Sequence, residues 1–206
     1  VRIFRGVLTG CNEAFIISTA QRDRILDSCA TATEREKTAQ LIRPILRGRD
    51  IRRWRAEWAG LWLVATHNGI LGKTPKVDLD EYPAVKRYLD QYWAQLAPRT
   101  DQGDTPYHLR SCAYWNDFMK PKIVYSEIVR EPQFYLDASG EFLVEATAFL
   151  LTGEHLGYLI KLLNSKVLAY IYRHFYAGGG LGGDAYRYKK AFLEKLPLPY
   201  YTPSTL

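Results

Sequence analysis

Between Arg43 and Arg55 the chain places six arginines and one tryptophan within thirteen residues, with Asp50 the single acid among them. A globular core does not hold that much unpaired positive charge, so most of it must face solvent or an anion. A guanidinium fork grips two oxygens of a phosphate at once, and the same fork matches O6 and N7 of guanine in a DNA major groove. Two readings stand side by side: a solvated basic face, or a surface built for a polyanion.

Other chemistry is poorly served. The four histidines, His67, His108, His155 and His174, show no HxH, HxxxH or HExxH spacing that would suit a metal. Cys11, Cys29 and Cys112 form no CxxC pair, which argues against zinc and against a disulfide framework. No GxSxG elbow and no Walker A loop occur. The run Gly178–Gly183 follows a helical segment instead of a strand, so it does not suit a dinucleotide. It reads as a mobile loop that delivers Tyr186 to Lys190 to a partner, or as a plain surface loop. Asp137 and Glu141 flank what reads as a hairpin turn, not a metal pair. Neither an (N/D)PPY tetrapeptide nor an FxGxG-like cofactor loop is present. The chain itself is therefore expected to be non-catalytic, with no cofactor and no metal of its own.

The elements that must carry the arginines belong to a chain of 206 residues, 47% hydrophobic, which is enough for a real core. Net charge is +6 and unevenly spread: residues 1–60 carry +5, residues 61–153 carry −3, and residues 154–206 carry +4. Two basic ends around an acidic middle suit a polyanion. No apolar run approaches the ~18 residues of a membrane span, and the start Val1-Arg2-Ile3-Phe4-Arg5 has no leader character. With Met119 the one methionine, the chain reads as a piece of a longer protein. Three unpaired cysteines predict a reducing, cytoplasmic setting.

Periodicity predicts a short strand before a Gly6–Gly10 turn, then a strand from Gly10 to Ile17 with Phe15 and Ile17 on one face. Helices are expected from Thr19 to Ala30, opened by Thr19 or Ala20, and from Thr33 to Ile42, after which Pro44 stops or redirects the chain. Leu61 to Thr66 reads as a buried central strand, and Asp80 to Leu96 as one amphipathic helix with Pro83 in its first turn. Pro98 to Pro106 reads as a polar loop, Pro121 to Ser126 as a strand, and 133–144 as a hairpin. Glu154 to Leu163 and Lys166 to Tyr176 are expected helices, the second capped by Ser165. The order predicts an α+β fold: a mixed sheet with flanking helices and a helical C-terminal part. It is read as a single domain over 1–206, with 1–150 mixed and 151–206 helical around the glycine loop.

Several stretches together carry a resemblance. They are Gly10-Cys11-Asn12-Glu13-Ala14-Phe15, Ile42 through Ile51 with Trp54, and Tyr82-Pro83-Ala84-Val85-Lys86-Arg87-Tyr88-Leu89. Tyr107-His108-Leu109-Arg110 and Phe118 through Tyr125 follow. Last come Leu162-Leu163-Asn164-Ser165-Lys166 and Leu193 through Pro199. In this order, over nearly the whole chain, they resemble the TaqI-like C-terminal specificity domain of adenine-N6 DNA methyltransferases and fused restriction–modification enzymes.

The resemblance implies that this part reads double-stranded DNA. It also implies that a catalytic methyltransferase domain, with S-adenosylmethionine and an NPPY-type motif, precedes Val1 in the same parent chain. It leaves open whether the parent also cleaves DNA. The expected contact pool is Arg43, Arg47, Arg49, Arg52, Arg53 and Arg55 for phosphate and guanine, and not all six can point one way. Asn12 suits adenine, or merely stabilises its turn. Lys120 and Lys122 are expected on one side, and Tyr186, Arg187, Lys189 and Lys190 come from beyond the glycine loop. Trp54 is expected to pack. A protein-interaction module for an acidic partner is the alternative, and a stand-alone hydrolase or nuclease lacks the necessary groups.

Overall fold

The structure, a computed structural model, describes residues 1–177 and 185–199. The glycine run therefore lies outside the described residues. Strand β1 (Arg2–Arg5) leads through a turn to a one-turn helix α1 (Asn12–Phe15) and strand β2 (Ile16–Ser18). The expected strand over 10–17 is thus confined to its last residues. Thr9 explains this: its hydroxyl accepts from the Cys11 amide at 3.2 Å and donates to Asn12 Oδ1. Local side-chain bonds of this kind compete with a strand ladder. Phe15 and Ile17 are nevertheless both fully buried.

Helix α2 (Thr19–Asp27) is opened by Ser18, not by Thr19 or Ala20. Ser18 Oγ accepts from the Gln21 amide at 3.3 Å, and Gln21 Oε1 accepts from the Ser18 amide at 2.9 Å, a reciprocal capping box. Helix α3 (Ala32–Leu41) starts at a Thr31 cap and runs straight into β3 (Ile42–Leu46). Glu34 in α3 is buried, and its carboxylate accepts from the Ala84 amide at 2.9 Å. That places a negative charge at the start of α4 (Pro83–Asp90), where a helix N-terminus favours it.

Pro44 does not stop the chain, since it lies inside β3. The antiparallel pairing of β3 with β4 (Leu61–Val64) ends at Pro44, and a parallel pairing with β8 (Leu143–Val144) begins at Ile45. A residue without an N–H is tolerated at this change of partners. Strand β4 is central, as expected, in the sheet order β2-β4-β3-β8. The single helix expected over 80–96 is divided. A 3-10 turn covers Leu79–Glu81, α4 begins at Pro83, and α5 (Trp93–Leu96) follows a break at Tyr92. Proline keeps Tyr82 out of helical geometry, which sets the start.

The second sheet has the order β1-β9-β5-β7, built with β5 (Lys122–Ser126), β7 (Phe134–Asp137) and β9 (Ala148–Thr152), all antiparallel. A two-stranded ribbon joins β6 (Ile128–Val129) to β10 (Tyr186–Arg187). The hairpin expected over 133–144 does not form, because β7 and β8 belong to different sheets. Asp137 is the reason. Its buried carboxylate accepts from Lys122 Nζ at 2.5 Å, Ser139 Oγ at 3.2 Å, and the amides of Glu141 at 3.2 Å and Phe142 at 3.0 Å. The chain wraps this carboxylate instead of closing a ladder. Gly140, at φ +69, completes the wrap where a Cβ would lie 2.4 Å from the Met119 carbonyl.

The β9–β5 sheet is buried on both faces. Val124, Ala148 and Leu150 join the core shared with the other sheet and α1–α5. Ile123, Tyr125 and Leu151 join a second core beneath α6 (Leu156–Leu163) and α7 (Lys166–Ile171). Period-two alternation sends successive side chains to opposite cores. A one-residue slip would swap Tyr125 with Val124, so register is tightly specified. Ser165 caps α7 by accepting from the Leu168 amide at 3.1 Å, and a π-helical turn, Tyr172–Tyr176, continues it before α8 (Lys190–Leu193).

Breaking the Lys122–Asp137 pair leaves a charge stranded in the core, a loss of about 3–5 kcal/mol for buried pairs. Lys122→Met and Asp137→Leu should each fall in that range by urea unfolding, and the double variant should lose less than their sum. Strict additivity would show that the two groups do not depend on each other.

Candidate nucleic-acid interface

The residues from Arg47 to Arg49 enter a 3-10 turn, Gly48–Asp50, at the end of β3. Arg47 turns back on Asp50 through two parallel bonds, Nε to Oδ2 at 2.9 Å and Nη2 to Oδ1 at 2.8 Å, and its own amide donates to Oδ2 at 2.9 Å. Burial alone would raise the Asp50 carboxyl, but the Arg47 bonds outweigh it and hold the group below its ordinary value of 3.8. Gly48 sits against the β8–β9 turn, where its amide donates to Thr147 Oγ1 at 2.9 Å and an added Cβ would lie 2.7 Å from the Thr147 carbonyl. Arg49, next in line, is exposed and makes no ion pair among the described residues.

Arg47, Gly48 and Arg49 line an open cleft of about 510 Å³ together with Arg5, Asn12, Glu127 and Glu145, among others. Three of the sequence candidates, Asn12, Arg47 and Arg49, therefore meet at one place. Arg5, which the sequence reading passed over, joins them from the end of β1. Its Nε donates to the Ala146 carbonyl at 3.0 Å, which leaves its terminal nitrogens to the cleft. Asn12 accepts from Thr9 through Oδ1, so the turn-stabilising role is real. Its amide nitrogen has no partner among the described residues and remains a donor. Glu145 is spent locally on the Thr147 amide, at 3.0 Å, and on its hydroxyl. Glu127 lies 4.0 Å from Arg187.

Arg99 was also missed, inside a segment that reads as a polar loop. It is buried, stacks over the Phe15 ring at 4.6 Å, and donates to the carbonyls of Thr9, Pro106 at 2.8 Å and His108 at 2.6 Å. Carbonyl oxygens and the Phe15 ring hold this guanidinium, and burial lowers its proton affinity, with nearby Cys11 and Asp101 opposing that shift. The contact with Thr9 fixes the loop that presents Asn12.

The other candidates disperse. Arg43 donates to the Glu141 carbonyl at 3.2 Å, and Arg53 to the Asn164 carbonyl at 2.8 Å. Arg52 and Arg55 share Glu57, at 2.9 and 2.8 Å. The arginine run is thus no single cationic face, because a tight turn from Arg52 to Arg55 splays its side chains. Trp54, at φ 72 in that turn, is about half exposed, and the Arg53 guanidinium lies over its ring 5.7 Å from the centroid. Lys120 pairs with Asp117 at 2.9 Å on the surface, whereas Lys122 is fully buried, so the two do not share a side. Lys122 leaves the contact set: burial lowers its proton affinity, and Asp137 opposes that shift.

Tyr186 is buried too. Its strand is held by Tyr172, whose hydroxyl donates to the Arg187 carbonyl at 2.7 Å and accepts from the Lys189 amide at 3.1 Å. Burial pushes that hydroxyl up to about 12, so it stays a donor at neutral pH. Lys189 and Lys190 remain exposed, with Lys190 3.8 Å from Glu194.

Two sheets rich in antiparallel pairing, with flanking helices, give a mixed α+β fold, and one open cleft in it is lined by several arginines. A family profile described as the TaqI-like C-terminal specificity domain matches residues 43–198, and the chain belongs to that family. Its fold is also similar to part of the Type IIL restriction-modification enzyme MmeI, solved in complex with DNA, with a TM-score of 0.63 at 10% identity. The likeness covers 93% of this chain and 24% of MmeI, so the chain spans about a quarter of that protein.

A carboxyl held below 3.8 stabilises the fold above that pH, and the contribution is lost as pH falls through the lower folded value. Asp50→Asn should therefore flatten the acid limb of stability in urea titrations run from neutral pH downward. An unchanged acid limb would mean that the Arg47 fork contributes nothing to folding.

Proposed function

We propose that this domain is the sequence-reading part of a site-specific, adenine-specific DNA methyltransferase or restriction–modification enzyme. It grips duplex DNA and positions the target for base extraction and N6 methylation by a catalytic domain elsewhere in the protein. The observation that carries this reading is the gathering of Arg5, Asn12, Arg47 and Arg49 in one open cleft of a specificity-family domain. A fold shared with a protein solved on DNA supports it.

The cleft suits a division of labour between phosphate and base contacts. Arg49 and Arg5 have donors to spare and suit phosphates. Arg47, its charge balanced by Asp50, supplies a fixed wall beside them. Glu127 and Glu145 also line the cleft and disfavour phosphate beside them, and a carboxylate there can accept from the cytosine amine. Asn12 Nδ2 offers a donor to an acceptor on a base edge. An enzyme that works on a base must hold the duplex while that base leaves the stack, which is what a second, non-catalytic grip provides.

S-adenosylmethionine belongs to the proposed catalytic domain, where it supplies the methyl group, and no residue of this chain is assigned to it. The setting is cytoplasmic under this reading. No described helix is long and apolar enough to cross a membrane.

Titration of duplex DNA at several salt concentrations tests the reading. Arg49→Ala and Arg5→Ala should each weaken binding to all sequences and lower the slope of log affinity against log salt by about 0.9. Asn12→Ala should relax one position of the site, by about 1–3 kcal/mol. Absence of duplex binding at low salt, or Arg5 and Arg49 variants that bind as the parent does, would overturn the proposal.

A further inference from the structure

The cleft does not end at Arg5. A second depression, of about 210 Å³, shares Arg5 with it and continues past Leu8, Arg110 and Ser111. A third, of about 770 Å³, shares Ser111, Cys112 and Ala113 with the second and ends at the 69–76 segment. Through these shared lining residues the three adjoin as an interrupted furrow, with Arg49 at one end and a small hairpin at the other. Arg110 and Lys76 line it, each beside an acid, and Lys73 lines it without an ion pair among the described residues.

The hairpin is closed by backbone bonds and projects. Ile70 and Thr74 exchange backbone bonds at 2.8 and 2.9 Å, and the Lys73 amide donates to the Ile70 carbonyl at 2.9 Å. Asn116 anchors its base by donating to Thr74 Oγ1 at 3.2 Å. Ile70 packs against the core, while nothing lies within 4 Å of a Cβ built at Gly72. Leu71 at the tip is 102% exposed, the most exposed of the large apolar side chains described. A lone exposed leucine on an ordinary surface needs no explanation. This one stands on a hydrogen-bonded tip, beside a lysine without an ion pair among the described residues, at the end of a furrow that starts with Arg49, which likewise has none among them. Apolar side chains delivered in this way wedge between base steps, and flanking cations hold the phosphates on either side.

We propose that Leu71 is a wedge: it enters a base step of the bound duplex while Lys73 holds an adjacent phosphate. The inference rests on the duplex-binding reading above and adds a site that deforms the DNA at the far end of the furrow from Arg49.

The test uses the full-length protein and a duplex that it enriches from a random pool, with 2-aminopurine placed at successive positions. The parent should raise the fluorescence at one step besides any extracted target base. Leu71→Ala should abolish that one signal while the duplex stays bound, and Leu71→Phe should keep it. Lys73→Ala should lower the salt slope by about 0.9. Leu71 is fully exposed, so these changes leave the fold intact.

A signal that survives Leu71→Ala, or one absent from the parent, overturns the wedge while leaving the duplex reading in place. So does a Leu71→Ala protein that loses contact with another protein component and keeps its DNA signal. Failure of the parent to enrich any duplex takes down the underlying reading and the wedge together.

Discussion

The buried bond between Lys122 and Asp137 sets the positions of much else in this domain. It joins β5 to β7 at the far end of their ladder, and it makes Asp137 the hub around which residues 138–142 turn. That turn carries the chain from one sheet to the other, where Leu143 and Val144 pair with Ile45 and Leu46. The next residues, Glu145 to Thr147, then form the floor of the cleft against Gly48. A charge pair in the interior is costly to create and poor at stabilising compared with an apolar pair. Here it specifies a path, because the same carboxylate also accepts from Ser139 Oγ and from the amides of Glu141 and Phe142.

The division of the molecule into two cores follows from the same region. A sheet apolar on one face needs one layer to cover it, whereas β5 and β9 are apolar on both and need two. The first layer is the other sheet with α1–α5, and the second is α6 and α7. The C-terminal helices are therefore part of the same structural problem as the sheet. Tyr125, which stacks on Phe149 and meets Phe134 and Tyr188, is where the second core is densest in rings.

The strands and helices with strong patterns were legible in the sequence: Leu61–Val64, Lys122–Ser126, the α4 face, and the helix pair around Ser165. The α+β class followed from their order. What failed did so for identifiable reasons. A turn between two apolar runs looks like a hairpin unless one knows that its aspartate faces a lysine fifteen positions back. Ala148–Thr152 has the continuous apolar character of a two-sided strand and went unread beside the stronger run before it. In the candidate cleft, residue type points to six arginines, but charge count cannot show which side chains are already spent. Arg52 and Arg55 are occupied by Glu57, and Arg53 by a carbonyl. Arg5, isolated in sequence, carried no signal beyond its charge, and Arg99 was masked by the polar residues around it.

Gly48 separates two kinds of neighbour. On one side Arg47 is clamped to the scaffold by Asp50, and on the other Arg49 stands clear of it. Backbone geometry at the cleft rim is thus guaranteed by residues that do not themselves project, and the projecting ones bear no weight. Evolution can exchange such a side chain without rebuilding its pedestal, so relatives are expected to diverge at the rim while the pedestal stays unaltered.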